Sequence, residues 1–210
     1  IRFPLIALIV SGGHTDLILA KGPGRYRVLG RTRDDAAGEV FDKVARMLDL
    51  GYPGGPLIDR MAKLGDPAAV NFPRPFMPDT WDFSFSGLKT SVLYYLQRRG
   101  PGLKRQEIAD ICASFQEAIT DTLVHKTLRA AEHFGVKNIV IGGGVAANGR
   151  LREKLALQGL ERKLRVIMPP LSLCTDNGAM IAQVATHMLR RTKKFRRFRS
   201  DPSLPFINWG

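Results

Sequence analysis

Apolar and polar positions change period several times along this chain. PLIALIV (4–10), TDLILA (15–20) and YRVLGRTR (26–33) are short runs rich in aliphatic and β-branched residues, separated by the turn sequences SGGH and KGPGR. Runs of this length with such short linkers predict three strands pairing as antiparallel neighbours. In GEVFDKVARMLDL (38–50), Val40, Phe41, Val44, Met47 and Leu48 recur at helical spacing, which predicts a helix with one buried face. Residues 51–86 break the regularity: GYPGGP, GDP and FPRPFMP supply proline and glycine at short intervals. Short helices are expected at 56–64 and 87–99, making about 51–105 an insert of helices and loops.

A long helix over roughly 106–134 places Ile108, Ile111, Phe115, Ile119 and Leu123 on one face, with Gly135 as its stop. Then follow a strand at 138–141, a helix at 148–158, a strand at 165–168 and a helix at 176–190. The last helix carries Met180, Ile181, Val184 and Met188 on one face. The order is β-β-β-α-(helical insert)-α-β-α-β-α, an α/β pattern. It is the order of a ribonuclease-H-like lobe, the building block of the actin/Hsp70/sugar-kinase superfamily, although alternation of this kind also suits other α/β sheets. No internal repeat or interdomain linker is visible. Residues 1–190 are read as one lobe and 191–210 as a basic tail.

The 210 residues include 32 Lys plus Arg against 19 Asp plus Glu, a net charge of +13. That balance favours a polyanionic partner, most plausibly nucleic acid, over a merely basic soluble protein. RRTKKFRRFR (190–199) concentrates the charge and interleaves Phe195 and Phe198. A run like this is either a solvated tail or a surface on which bases can stack. Cys112 and Cys174 are far apart with no CxxC, which argues against a disulfide scaffold and fits a reducing compartment. No apolar run approaches the ~18 residues that span a bilayer, so no membrane partner is expected. The first residue is Ile1 and a strand-like run begins at once, so an upstream part of a longer protein is expected.

Three polar loops fall at predicted strand ends. VSGGHTD (10–16) can present the N–H groups of Ser11, Gly12 and Gly13 as an anion-binding nest, or be a plain glycine hairpin. GGGVAAN (142–148) puts three glycines where a strand hands over to a helix. They serve either a tight turn or the close approach of a ligand to the backbone. CTDNGAM (174–180) opens the last helix, where Thr175 or Asp176 can cap it; Asp176 could instead hold a metal, as a hard oxygen ligand. Ligands of open α/β sheets bind where such loops gather, so a phosphate-bearing ligand is favoured.

Five stretches occur in order: SGGHTDLIL, DDAAGEVFDKVARMLDLGYPGGPLID, FSFSGLKT, GGGVAANGRLREKL and CTDNGAMIA. Together they resemble the TsaD family of tRNA N6-adenosine threonylcarbamoyltransferases, formerly described as O-sialoglycoprotein endopeptidases, over about residues 1–190. The resemblance implies an actin-like protein of two ribonuclease-H-like lobes, of which this chain looks like the second with its insert. It implies transfer of threonylcarbamoyl from threonylcarbamoyl-AMP to N6 of the adenosine 3′ of the anticodon, in tRNAs reading codons that begin with A. Ile9, Val10, Ser11, Gly12 and Gly13 match the loop that contacts the adenylate. Asp42, Gly55 and Asp59 match substrate-binding positions, Asn148 matches the residue beside the adenosine, and Asp176 matches a metal ligand. By the same resemblance the cofactor is one divalent metal ion, iron, with zinc and magnesium as alternatives. The implied partners are tRNA, a TsaB-like paralogous subunit and a TsaE-like ATPase. The location is cytoplasmic, with the mitochondrion as the alternative.

Plainer roles compete at each position. Asp42 could pair with Arg46 on a helix surface, Asp59 could be an ordinary exposed helix residue, and Asn148 could be only a helix cap. The chain also departs from the family pattern. The family's HxxxH motif, which supplies two metal-binding histidines, lies before the SGGHT loop, and His14, His125, His133 and His187 contain no i,i+4 pair. The histidine ligands are therefore expected upstream of Ile1, and the chain alone is expected to be incomplete as an acyltransferase. No serine or cysteine stands in a nucleophile context. The alternative function is a non-catalytic module that binds adenine nucleotide and tRNA within a complex. A metalloprotease is a distant third, since no HExxH is present.

Overall fold

The computed structural model describes residues 1–192. Three strands, β1 (Leu5–Val10), β2 (Thr15–Gly22) and β3 (Arg25–Arg31), form the expected antiparallel meander. β4 (Asn138–Gly142) and the short β5 (Arg165–Ile167) complete a five-stranded sheet in the order β3-β2-β1-β4-β5, with β1, β4 and β5 parallel. This is the ribonuclease-H-like arrangement that the element order predicts.

One face of the sheet is packed by helices. Ile6, Leu8 and Val10 of β1, Leu17 and Leu19 of β2, and Ile139 and Ile141 of β4 alternate into a single core, as period-2 patterning requires. α1 (Ala37–Met47) brings Val40, Phe41 and Val44, all essentially inaccessible; each such side chain contributes about 1.5–3 kcal/mol. The long α4 (Arg105–His133) runs through the middle and is buried on most of its circumference, not along one stripe. Its Thr120, Thr122 and Thr127 are fully buried and donate their hydroxyls to carbonyls one turn back, so their burial leaves no polar group unpaired. Phe41 and Phe115 meet edge to face, centroids 5.3 Å apart, and tie α1 to α4.

α2 (Gly54–Ala62) packs between α1 and α4, while α3 (Ser86–Arg99) lies against α1. Asp34 fixes the start of α3: its carboxylate accepts from the backbone N–H groups of Phe85 and Ser86 and from the hydroxyls of Ser84 and Ser86. After β4 the chain makes a 3₁₀ turn (Gly144–Ala147), which delays α5 (Gly149–Glu161) by one residue relative to the pattern. A second 3₁₀ turn (Leu171–Leu173) precedes α6 (Gly178–Thr192).

α6 departs from expectation. Its apolar stripe exists, but Met180 is 49%, Ile181 65% and Val184 43% exposed. Among the described residues no further layer lies over that face, so helical spacing of apolar residues does not translate into burial here. The basic run 190–199 and the tail 191–210 lie, apart from the end of α6, outside the described residues. No helix among the described residues is long and apolar enough to cross a membrane.

Candidate functional site

β1 and β4 are parallel neighbours with Ile9 opposite Gly142, so their carboxyl ends open at the same edge of the sheet. A cleft of about 660 Å³ lies there. Its wall includes Gly12, Phe41, Asp42, Gly55, Asp59, Gly144, Asn148 and Thr175. Four separate stretches of sequence thus meet: the loop after β1, α1 and the start of α2, the turn after β4, and Thr175 ahead of α6.

The α1–α2 junction is held by Asp42. Its Oδ1 accepts from the Gly54 N–H at 2.7 Å, replacing the surface pair with Arg46 that helical spacing allowed. A Cβ on Gly54 would meet Ala45 Cβ at 2.6 Å and Asp42 Cα at 2.7 Å, so α2 starts flush against α1. One helical turn later Asp59, its side chain only 18% exposed, accepts from the Gly149 N–H at 3.2 Å and lies 3.8 Å from Lys63 Nζ. It joins α2 to the start of α5 and is not an ordinary surface residue.

Asn148 is both a cap and a cleft residue. Its Oδ1 accepts from the Leu151 N–H at 2.9 Å, and its amide nitrogen donates to Gln116 Oε1 at 2.7 Å. Beneath it, Arg150 and Lys154 of α5 reach Glu117 at 2.7 and 2.6 Å, and Lys154 also reaches Asp121. Burial would raise the Glu117 carboxyl, but the bonds from Arg150 and Lys154 outweigh it and hold the group below its usual range. This ion network ties the first turns of α5 to α4.

The three glycines after β4 divide their roles. Gly143 has φ +91°, and a Cβ there would meet the Val10 carbonyl oxygen at 2.3 Å, so it is required by the turn and by packing on β1. A Cβ on Gly142 would meet Ile9 Cδ1 at 3.4 Å. Only Gly144 lines the cleft, and a Cβ there would meet no protein atom within 4 Å. The same holds for Gly12 and Gly55. At three places on one wall, nothing in the protein itself explains the absence of a side chain.

The loop after β1 contributes less than expected. Val10 is a fully buried core residue and Ile9 packs toward Gly142; neither lines the cleft. Ser11 Oγ accepts from the N–H groups of Gly13 and His14, at 3.3 and 3.1 Å, while the Ser11 N–H donates to the His14 carbonyl. Two of the three predicted nest donors, the N–H groups of Ser11 and Gly13, are thus taken up within the turn itself, the second because the Ser11 hydroxyl two residues back competes for it. Of the five predicted contact residues, only Gly12 reaches the cleft wall.

Asp176 lies beyond Thr175 at the rim and is exposed. It does not cap α6: Asn177 does, with Oδ1 accepting from the Met180 N–H at 3.0 Å. Among the described residues no three His, Cys, Asp or Glu side chains cluster as a metal-binding group. Asp176 could supply one carboxylate ligand and no more. His125 and His133 are exposed and pack at a tilt against Phe76 and Trp81, in keeping with surface roles. Tyr52, Phe41 and Arg60 also line the cleft. Motif reading passed over them; the exposed aromatic in GYPGGP was the available signal for Tyr52.

Comparison with known proteins identifies the family. The family model described as TsaD, tRNA N6-adenosine threonylcarbamoyltransferase, matches residues 1–183. A protein of that name from Symbiobacterium thermophilum is 56% identical over 90% of this chain and 55% of its own length. One from Magnetococcus marinus is 54% identical over 93% and 56%, and one from Endomicrobium trichonymphae is 46% identical over 100% and 62%. The chain belongs to the TsaD family. It spans little more than half the length of these curated relatives. Among solved structures, HypF from T. kodakarensis superposes with a TM-score of 0.63 at 16% identity, over 88% of this chain and 34% of that one. A full-length HypF in a phosphate- and nucleotide-bound form gives 0.67 at 12% identity, over 91% and 34%. At such identities the likeness concerns the fold alone.

Proposed function

We propose that the cleft holds the adenylate of threonylcarbamoyl-AMP, and that the chain serves in transferring threonylcarbamoyl to N6 of the adenosine 3′ of the anticodon, in tRNAs reading codons that begin with A. The observation that carries this reading is the wall formed by Gly12, Gly55 and Gly144, where a Cβ would meet only the cleft. Such a wall lets a flat, polar ligand lie against backbone N–H and carbonyl groups. Asp42 and Asp59 each retain acceptor capacity beyond their bond to the protein and would accept from hydroxyls of the ligand.

In the proposed reaction the N6 lone pair attacks the carbamoyl carbon. A C–N bond forms, the C–O bond to phosphate breaks, AMP leaves, and N6 gives up a proton. N6 is a weak nucleophile because its lone pair is delocalised into the ring, so holding the mixed anhydride in reach of the base is the main contribution required. No side chain of the described cleft is assigned as a nucleophile. A divalent metal, iron by family resemblance, would polarise the anhydride when bound; Asp176 would supply one ligand. A TsaB-like subunit and a TsaE-like ATPase are proposed as partners. Both cysteines are free and buried, in keeping with a cytoplasmic or mitochondrial setting.

The test is calorimetric titration of a non-hydrolysable threonylcarbamoyl-adenylate. The reading expects saturable binding that AMP displaces and threonine does not. Absence of binding, or binding that AMP leaves untouched, contradicts it.

A further inference from the structure

Tyr52 stands apart from the rest of the cleft wall. The wall otherwise consists of glycines, prolines, small apolar residues, polar groups and the buried Phe41, yet Tyr52 is a large aromatic residue that is 80% exposed. Among the described residues its ring has no aromatic or cationic partner. It also lines a second depression of about 320 Å³, bounded by Asp42, Arg46, Asp49 and Gly51, and so forms the ridge between the two hollows.

The ridge is rigidly mounted. The Gly54 N–H is held by Asp42, Gly54 packs flush on α1, and Pro53 leads directly into α2. An exposed ring on a fixed base offers a flat π-face without reorganisation. The ring's cleft side is continuous with Pro53 and Pro56, and the Gly55 position beside them is open. A nucleobase matches these features better than a sugar or a phosphate. It is planar and apolar on its faces, and its edge can meet backbone groups at Gly55.

We infer that Tyr52 is the stacking platform for the adenine base of the nucleotide in the cleft. This inference rests on the adenylate reading given above and adds the residue that holds the base. The hydroxyl at the ring's tip is not needed for it; the π-face is.

Calorimetric titrations with AMP and with ribose 5-phosphate test it, using wild type, Tyr52→Ala, Tyr52→Leu and Tyr52→Phe. Base–aromatic stacking predicts that Tyr52→Ala weakens AMP about 5- to 150-fold and leaves ribose 5-phosphate unchanged. Tyr52→Leu should also lose affinity for AMP, and Tyr52→Phe should stay within about twofold of wild type, because it keeps the stacking face. An exposed side chain can be replaced without unfolding the protein, and equal melting temperatures check this. Equal AMP affinity for Tyr52→Ala and wild type overturns the inference and leaves the adenylate reading standing, as does an equal loss for both ligands. If wild type binds AMP not at all, the adenylate reading fails and the inference falls with it.

Discussion

The Asn148 side-chain amide donates to Gln116 Oε1 at 2.7 Å while its carbonyl oxygen caps α5 through the Leu151 N–H. Both residues are buried, at 8% and 5% exposure. A residue of the cleft wall is therefore also a structural joint between α4 and α5. Asn148→Ala should cost about 1 kcal/mol for the lost cap and about 1–3 kcal/mol more for an unpaired Gln116. Urea denaturation reads this directly; a midpoint equal to wild type would show that neither bond carries stability.

Gly143 and Gly144 are adjacent and should respond oppositely. Gly143→Ala forces a Cβ into the Val10 carbonyl at a positive φ, so the loss should exceed about 1 kcal/mol, the scale of backbone strain. Gly144→Ala meets no protein atom and should leave the melting temperature unchanged. Thermal melts of the two variants decide the matter; equal losses would contradict the division of roles.

Most of the fold was legible because periodicity and short turns leave little choice. The antiparallel meander, α1 and the β4–α5–β5 crossover follow from runs such as PLIALIV and the spacing of Val40, Phe41 and Val44. Less was legible at the site. Composition does not reveal that Ser11 consumes the donors of its own turn, or that Asn177 caps α6 in place of Thr175 or Asp176. These are competitions between near-equal local hydrogen bonds, decided by geometry. The exposed face of α6 was equally hidden, since a helical stripe states what a helix can bury and not what covers it.

Gly55 sits in the first turn of α2, with open space where a Cβ would be. Alanine is favoured over glycine in a helix by about 0.5–1 kcal/mol. Gly55→Ala should therefore stabilise the protein by about that amount while weakening adenylate binding. A stability gain with unchanged affinity would show that the cleft ligand does not approach Gly55.

Lys126 is fully buried, with Nζ donating to the carbonyls of Met77 and Thr80 at 3.2 and 2.6 Å. Burial, then the charge of Arg129, pushes its ammonium down to about 8 from 10.5. Between those values the unfolded chain binds the proton and the folded one has released it, so stability should rise with pH. Relative to Lys126→Met, wild type should gain stability from pH 8 to pH 10 in paired urea titrations. A constant difference would mean that the lysine titrates alike in both states.

The account's central claim is that the glycine wall exists for an adenylate. Calorimetric titration of AMP into wild type and Gly144→Val tests it most directly, with melting temperatures measured on the same samples. The account predicts an unchanged melting temperature and an AMP affinity reduced at least about tenfold, the equivalent of roughly 1.4 kcal/mol of steric exclusion. Equal affinity in a folded Gly144→Val protein would contradict it.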